Sequence, residues 1–279
     1  MKFAVNLLLW TVTLPKEKLP LLPKVKRMGY EGVEVPLFDL ACIDVPATKA
    51  MLEKTGLEFL GCSIVAPEAN PISEDAAVRK AAVQYLRDRI ELTAKFGGKA
   101  IAGPMYSPVG KLVGRRRTPD EWKWCVQVLK EVAKCAEDRG VTLALEPINR
   151  FETYFLNTAA DAVKLCRDIG SPNVKIHLDT FHANIEEKCL VGAIKTCGKY
   201  LGHFHVSEND RGIPGTGHTD WGGAFKALKS IGYDGWLAVE SFGQTIKEIA
   251  AAAAIWRDLA PSADAIARDG LKFMKKTVK

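Results

Sequence analysis

The chain has 279 residues, of which 47% are hydrophobic and 26% charged, and this composition is ordinary for a globular protein. Its seven cysteines are odd in number and form no C-x-x-C pair, which argues against a disulfide framework or a structural zinc cluster and favours a reducing, cytoplasmic environment. The net charge of +6 is spread along the chain and no apolar run is long enough to cross a bilayer, so we expect neither a nucleic acid nor a membrane as a partner.

Eight short apolar runs recur along the chain and predict eight β-strands. In the second run, Val33 and Val35 fall on one face of the strand because side chains alternate. The predicted strands cover residues 3–10, 32–38, 57–65, 99–105, 142–148, 174–180, 201–207 and 236–242.

Longer amphipathic segments separate these runs and predict helices. The clearest spans residues 75–96, where apolar side chains return at three- and four-residue spacing. A second segment, 119–139, ends before Gly140, and a third follows Thr158 as a cap and ends at Gly170. Further helices are predicted over residues 186–199, 221–231, 246–259 and, as a separate outer helix, 261–279.

Strands that alternate with helices favour a parallel sheet, and eight such units predict a closed (β/α)8 barrel with an extra C-terminal helix. A barrel of this kind typically needs about 250 residues, so a single domain would use residues 1–279. The competing doubly wound sheet should carry G-x-G-x-x-G after its first strand, and none is found there.

The ends of the last four predicted strands each carry one side chain that can bind a metal ion: Glu146, Asp179, His205 and Glu240. Such strand ends converge at the C-terminal face of a barrel. Three converging carboxylates would repel one another and be costly to bury, and a divalent cation relieves both problems. Three carboxylates and one imidazole suit Mn²⁺, with Co²⁺ or Mg²⁺ as alternatives.

Further polar residues follow the same strands, in loops that would lie over the site. Glu152, His182 and Arg211 could hydrogen-bond a polyhydroxylated substrate, and the role of His218 stays open. The dense cationic run from Arg115 to Arg117 is interpreted as a solvated loop, with a phosphate-binding patch as the alternative. We expect His177 and His203 to be structural.

Two placements are open for His177 and His203. Either they point to the opposite face of their strands from Asp179 and His205, or they lie deeper in the fold.

Three groups of segments resemble the D-tagatose 3-epimerase family, which includes the D-psicose and L-ribulose 3-epimerases. They are LEPINRFE at 145–152 with LNT at 156–158, HLDTFHANIEE at 177–187, and HVSENDRG at 205–212 with GTGH at 215–218 and VESF at 239–242. The resemblance is tight over residues 142–242, and the barrel pattern extends it along the chain.

The resemblance implies a Mn²⁺-type ion held by the four strand-end residues, with Glu146 and Glu240 as the acid/base pair. It also implies that Glu152, His182 and Arg211 hold the O1–O3 end of a ketose. The loops that shape the far end of the pocket in this family carry Trp10, Cys62 and Met105 here, and these match no particular substrate.

The function that follows is inversion of C3 in a free ketohexose or ketopentose through a cis-enediolate, with two glutamates exchanging the proton. An aldose–ketose isomerase of the hydroxypyruvate isomerase type, or an enzyme acting on a sugar phosphate, is the alternative. A DNA-repair endonuclease would want three metals and more than five histidines, and a non-catalytic sugar-binding barrel would be expected to have broken ligands. The family also suggests a homodimer or homotetramer, for which Trp122, Trp124 and Trp256 are candidate contacts.

Overall fold

The computed structural model describes residues 1–242 and 246–278. Eight parallel strands in this part of the chain close into a barrel in sequence order, and the first strand pairs with the last. This confirms the predicted (β/α)8 barrel. The strands are β1 Lys2–Asn6, β2 Gly32–Pro36, β3 Glu58–Cys62, β4 Ala100–Gly103, β5 Thr142–Leu145, β6 Val174–Asp179, β7 Leu201–Val206 and β8 Trp236–Val239.

The described helices surround this barrel. They are α1 Leu21–Met28, α2 Val45–Thr55, α3 Ala76–Lys95, α4 Pro119–Arg139, α5 Ala159–Ile169, α6 Thr180–Glu186, α7 Leu190–Cys197, α8 Trp221–Ser230, α9 Lys247–Ala252 and α10 Ala263–Thr277. The predicted helices near 75–96 and 119–139 match α3 and α4. The helix predicted over 186–199 is wrong in its start, since α6 ends and α7 begins there, and the one over 246–259 is shorter than predicted.

Capping residues set the ends of the long helices. The Thr118 side chain accepts from the backbone of Glu121, whose carboxylate accepts in return from the backbone of Thr118, and this capping box begins α4. Gly140 ends the same helix with φ at 60°, a left-handed conformation that glycine adopts without strain. The β1 strand is shorter than predicted because the Asn6 side chain caps a short 3₁₀ helix at residues 7–9.

The interior of the barrel is filled in layers. A small apolar cluster of Ala4, Leu60, Ala100 and Ala238 packs together separately from the main core between strands and helices. Trp236 packs on this cluster, and a Cβ at Gly32 would lie only 2.7 Å from its ring. The interior positions nearer the C-terminal ends of the strands are polar, so the buried polar groups concentrate at one end of the barrel.

The predicted C-terminal helix is α10, which packs against the outside of the barrel. The Tyr30 hydroxyl donates to the backbone oxygen of Ala267 at 2.7 Å, and the ring of Phe273 lies 5.7 Å from that of Trp221. Among the described helices, none is both long and apolar enough to cross a membrane. All seven cysteines are free.

Candidate metal centre and active site

Four side chains meet at the C-terminal end of the barrel. Glu146 directly follows β5, Asp179 ends β6, His205 lies in β7, and Glu240 directly follows β8. One ligand atom of each lies within 4.8 Å of the other three, and all four residues are buried. Consecutive parallel strands therefore bring together the four residues that the sequence pointed to, in a group that could hold one metal ion.

The carboxylate of Asp179 is fixed on two sides. Its Oδ1 accepts from the backbone N–H of Phe181 at 2.6 Å and of His182 at 3.3 Å, because α6 begins directly after β6. Its Oδ2 accepts from the Ser207 hydroxyl at 2.9 Å and lies 3.4 Å from Nδ1 of His205. One oxygen thus caps a helix while the other is held at the centre.

Two of the candidate ligand atoms are buried without a hydrogen-bond partner: Oε1 of Glu146 and Nδ1 of His205. The same Nδ1 lies 3.4 Å from carboxylate oxygens of both Asp179 and Glu240. Burying such atoms unpaired costs about 1–3 kcal/mol each. A divalent cation coordinated by all four side chains would satisfy both atoms, and the oxygen-rich donor set fits an ion of the Mn²⁺ type.

The three buried carboxyl groups at the centre lie too close together for all of them to ionise easily without a neighbouring positive charge. Burial raises the pKa of Glu146 well above its usual range, and the neighbouring Glu240 and Asp179 raise it further. Burial acts in the same direction on Asp179, but the Arg211 guanidinium and His205 outweigh it and hold the pKa of Asp179 well below its usual range. A further cation would favour ionisation of the remaining carboxyl group.

Arg211 supplies one positive charge to this cluster. Its Nη1 lies 2.9 Å from each of Asp179 Oδ2, Glu240 Oε2 and Ser207 Oγ, and its side chain is 3% exposed. Its backbone has φ at 64°, which for a residue other than glycine costs about 1–3 kcal/mol. The Ser241 hydroxyl donates to the Arg211 carbonyl and helps to hold this strained conformation.

A cavity of about 160 Å³ adjoins the cluster. Glu146 and Glu240 line it together with the three predicted substrate-binding residues, Glu152, His182 and Arg211. The other described residues of the wall are apolar apart from one thiol: Leu8, Phe38, Cys62, Ile64, Pro104, Val109, Ile148, Phe181, Phe242, Ile249 and Ala253. The volume is below the roughly 300–1,000 Å³ of sites for drug-sized ligands, so it suits a small molecule with one polar end.

The predicted substrate-binding residues are held to one another through Asn149. Its side-chain amide donates to Glu152 Oε1 at 2.7 Å and lies 2.9 Å from Nδ1 of His182, which also accepts from the Asn149 backbone at 3.2 Å. Burial lowers the pKa of His182 to about 3, so the ring is neutral and carries its hydrogen on Nε2. That nitrogen lies 3.6 Å from Glu146 Oε1 and 3.2 Å from Arg211.

Comparison with known proteins assigns a family to this arrangement. The profile of the xylose isomerase-like TIM barrel family matches residues 22–277. A probable ketose 3-epimerase of Synechocystis sp. is 33% identical over 99% of this chain and 96% of its own length. The L-ribulose 3-epimerase of Mesorhizobium japonicum is 34% identical over 98% of this chain and 93% of its own length. The chain belongs to the xylose isomerase-like TIM barrel family, among its ketose 3-epimerases.

A solved structure supports the same assignment. The D-allulose 3-epimerase of Methylomonas sp., crystallised in complex with D-allulose, is 28% identical and superimposes with a TM-score of 0.94 over 99% of this chain and 97% of that one. This family member is therefore an isomerase-class enzyme, as predicted.

The structure corrects two of the three candidate pocket residues of this epimerase. Cys62 lines the cavity, whereas Trp10 and Met105 do not. The Trp10 indole donates to Asp264 of α10 at 2.8 Å, with the Lys24 ammonium over its ring. Trp10 directly follows the 3₁₀ helix at residues 7–9, which it caps through its backbone N–H. Met105 is fully buried in the core.

The cationic run of the epimerase and His218 also lie outside the cavity wall. Arg115 pairs with Glu121 at 2.9 Å, and Arg117 pairs with Asp161 at 2.9 Å. These pairs anchor the loop before α4, which agrees with the interpretation as a loop and leaves the phosphate patch without support. His218 is exposed, and its backbone N–H donates to Asn209.

His177 and His203 lie inside the barrel below the four candidate metal ligands. Residues two apart on a strand share a face, so His177 faces the same way as Asp179, and His203 the same way as His205. The ring centroids of His177 and His203 lie 3.9 and 5.1 Å from that of His205. The opposite-face alternative is wrong, and the deeper placement is the observed one. Burial lowers the pKa of His177 well below its usual range.

Two buried polar residues near the cluster were not predicted, Glu34 of β2 and Asn6 of β1. Glu34 contacts His205, and Asn6 contacts both Glu34 and Glu240. A signal for Glu34 was present in the sequence. Since Val33 and Val35 share one face of β2, Glu34 points the other way, and its contacts with His203 and His205 place it inside the barrel.

Proposed function

We propose that this protein is a metal-dependent ketose 3-epimerase that inverts C3 of a free ketohexose or ketopentose, with residues 1–279 acting as one barrel domain. The observation that carries the proposal is that Glu146 and Glu240 belong both to the group of candidate metal ligands and to the wall of the cavity. The printed activities of the relatives, which include L-ribulose and D-allulose 3-epimerases, support the same substrate class.

In this proposal Glu146, Asp179, His205 and Glu240 hold one divalent ion, most favourably Mn²⁺, although Co²⁺ or Mg²⁺ also fits the donor set. When bound, the ion would supply Lewis-acid stabilisation of negative charge on the substrate oxygens. The unpartnered Oε1 of Glu146 and Nδ1 of His205 support the assignment of these side chains as ligands.

Glu146 and Glu240 are the proposed proton carriers. They follow β5 and β8, which two other strands separate in the barrel, so the two carboxylates approach the cavity from different directions. One removes the C3 proton to give a planar enediolate, and the other returns a proton to the opposite face, which inverts the stereocentre.

Acid/base exchange alone contributes about 10²–10⁴-fold, so the fixed polar groups must supply further stabilisation. Glu152, His182 and Arg211 are proposed to hydrogen-bond the O1–O3 end of the ketose. The Asn149 amide fixes two of them, and such fixed groups orient the substrate before proton transfer.

The cavity favours a free sugar over a sugar phosphate. Among the described residues that line it, Arg211 is the one cationic side chain, and it is already paired with Asp179 and Glu240. Arg115 and Arg117 are paired elsewhere. A phosphate at the apolar end of the cavity would therefore lose its hydration without gaining a charged partner.

Two measurements test the proposal. A panel of free ketopentoses, ketohexoses and their phosphates, assayed with Mn²⁺ and ranked by kcat/KM, should place a free ketose first. Proton NMR of the product formed in D₂O should then show deuterium at C3. Label at C1 or C2 would instead identify an aldose–ketose isomerase, and a phosphorylated sugar ranked first would contradict the argument from the cavity.

A homodimer or homotetramer in the cytoplasm stays a prediction. Of its candidate contacts, Trp122 and Trp124 already have partners within the chain, since the Trp122 indole donates to Asp168 and the Arg79 guanidinium covers the Trp124 ring. Trp256 is 76% exposed. Sedimentation of the wild type and of Trp256→Ser would test whether this tryptophan lies in a subunit interface.

A further inference from the structure

Glu34 is fully buried inside the barrel, one layer below the candidate metal ligands. Its strand, β2, is not a neighbour of β7, so its contacts with His203 and His205 run across the barrel interior. Oε1 of Glu34 lies 2.9 Å from Nε2 of His205, and Oε2 lies 2.6 Å from Nε2 of His203. Glu34 is absent from the wall of the cavity, so it has no direct contact with substrate there.

The contact with His205 decides which ring nitrogen faces the centre. A carboxylate can only accept, so Nε2 of His205 carries the hydrogen that Glu34 binds. In the neutral ring this leaves the lone pair on Nδ1, the atom 3.4 Å from oxygens of both Asp179 and Glu240. Carboxylates that hold the second nitrogen of a metal-binding histidine fix its tautomer and orientation.

A second connection leads from Glu34 to Glu240. The Asn6 amide donates through Nδ2 to Glu34 Oε1 at 2.7 Å and to Glu240 Oε1 at 3.1 Å. The amide cannot turn over freely, because its oxygen accepts from the backbone N–H of Leu8 at 2.9 Å. Glu240 is thus held by Oε1, and its Oε2 lies towards His205 and Arg211.

We propose that Glu34 is a positioning residue for the metal centre, which sets the tautomer of His205 and, through Asn6, the rotation of Glu240. One buried carboxylate on β2 would thereby align two of the four ligands, although it touches neither the substrate nor the ion. The inference rests on the proposed function, because it assumes that His205 and Glu240 hold a metal ion.

Mn²⁺ affinity is the first test, measured by electron paramagnetic resonance of the free ion. Glu34→Leu removes both acceptor oxygens, whereas Glu34→Gln keeps one oxygen that can still accept from His205. We expect Glu34→Leu to bind Mn²⁺ about 10–100-fold more weakly than the wild type, and Glu34→Gln to lose less. Unchanged affinity in folded Glu34→Leu would overturn the proposal.

Glu121 offers the matched control. It is also a buried glutamate with several hydrogen bonds, to Arg115, Tyr154 and the backbone of Thr118, but it lies at the start of α4 outside the cavity wall. Glu121→Gln should leave Mn²⁺ affinity unchanged. At saturating Mn²⁺, Glu34→Gln should lower kcat more than it changes KM, because the rotation of Glu240 matters to proton transfer and not to substrate contact.

A measurement on the wild type keeps the inference testable if the Glu34 variants do not fold. With ¹⁵N-labelled histidine and the diamagnetic ion Cd²⁺, long-range proton–nitrogen correlation spectra report which nitrogen of His205 binds the ion. The expected result is a metal-bound Nδ1 and a protonated Nε2. Coordination through Nε2 would refute the role of Glu34, whatever the variants do.

The outcomes for the two proposals are separable. If the wild type neither binds Mn²⁺ nor epimerises a ketose, the proposed function fails. If the wild type does both while Glu34→Leu binds Mn²⁺ with equal affinity, only the positioning role of Glu34 fails.

Discussion

Replacement of Arg211 should change the stability of the metal-free protein and its affinity for Mn²⁺ in opposite directions. Its Nη1 bridges Asp179 and Glu240 at 2.9 Å, and the side chain is 3% exposed. Removing one partner of such a buried pair costs about 3–5 kcal/mol. We therefore predict that Arg211→Met, which removes the charge and keeps an apolar stem, lowers the Tm of the metal-free protein by about 6–10 °C, at about 2 °C per kcal/mol for a chain of this size.

Mn²⁺ should stabilise this variant by more than it stabilises the wild type. Without the guanidinium, Asp179 and Glu240 present uncompensated negative charge to the centre, so Mn²⁺ should bind the variant more tightly than the wild type. Because a ligand that binds only the folded state raises its stability, saturating Mn²⁺ should then raise the Tm of the variant by more than that of the wild type. Turnover should still be lost, because the proposed contact with the substrate is gone.

The assay is thermal unfolding in EDTA and in saturating Mn²⁺, combined with titration of the free ion. Arg139→Met is the control, since Arg139 also pairs with a glutamate, Glu91, but the two side chains are 51% and 46% exposed. Such an exposed pair is worth about 0–1 kcal/mol, so this variant should melt close to the wild type. A metal-free Arg211→Met that melts like the wild type, or that gains less from Mn²⁺, would refute the counter-ion argument.

Two further predictions concern the same centre, and a third concerns Trp10. Glu240→Gln should lose nearly all turnover in metal-replete buffer, and activity near that of the wild type would exclude Glu240 as a proton carrier. Mn²⁺ affinity, measured by calorimetry, should rise with pH because the pKa of Glu146 is raised and this ligand must be ionised to bind the ion. The rise should be at most about tenfold per pH unit for one proton released. An affinity that does not change with pH would contradict this prediction. Trp10→Phe should leave kcat/KM within about twofold of the wild type, a change of under about 0.5 kcal/mol, because the indole contacts Asp264 and does not line the cavity. A larger fall in kcat/KM in a steady-state assay would place Trp10 in the pocket.

The order of the barrel elements could be predicted from the sequence because apolar runs mark buried parallel strands irrespective of their partners. The residues at which the strands and helices begin and end were harder to predict. Residues 7–9 continue the apolar pattern of β1, yet the Asn6 side chain caps a 3₁₀ helix there. Likewise, Asp179 ends β6 and at once caps α6, so a short helix at Thr180–Glu186 precedes the helix that was predicted to begin near residue 186.

The candidate metal ligands could be predicted for a geometric reason. Side chains at the same end of consecutive parallel strands must converge, whatever the detailed register. Glu34 was missed because its contacts with His203 and His205 join β2 to β7, which are not neighbours, and such contacts depend on how the barrel closes. Asn6 was missed although its contacts join neighbouring strands, because they depend on the register of β1 with β2 and β8. Trp10 was misplaced for a local reason, since the turn after β1 directs it to α10.

The polar side chains in the wall of the cavity come from one part of the chain. Among the described residues that line it, every carboxylate, imidazole and guanidinium comes from residues 146–240, whereas β3 and the loops after the first four strands contribute apolar side chains and the thiol of Cys62. The reacting end of a ketose would therefore meet the same groups whatever the rest of the sugar, and the apolar wall, to which both halves of the barrel contribute, would decide which sugar fits. Substitutions at Ile64 or Phe38 should accordingly change KM among ketoses while the site of deuterium incorporation stays at C3. This separation gives a physical reason why relatives that act on L-ribulose and D-allulose can share one fold.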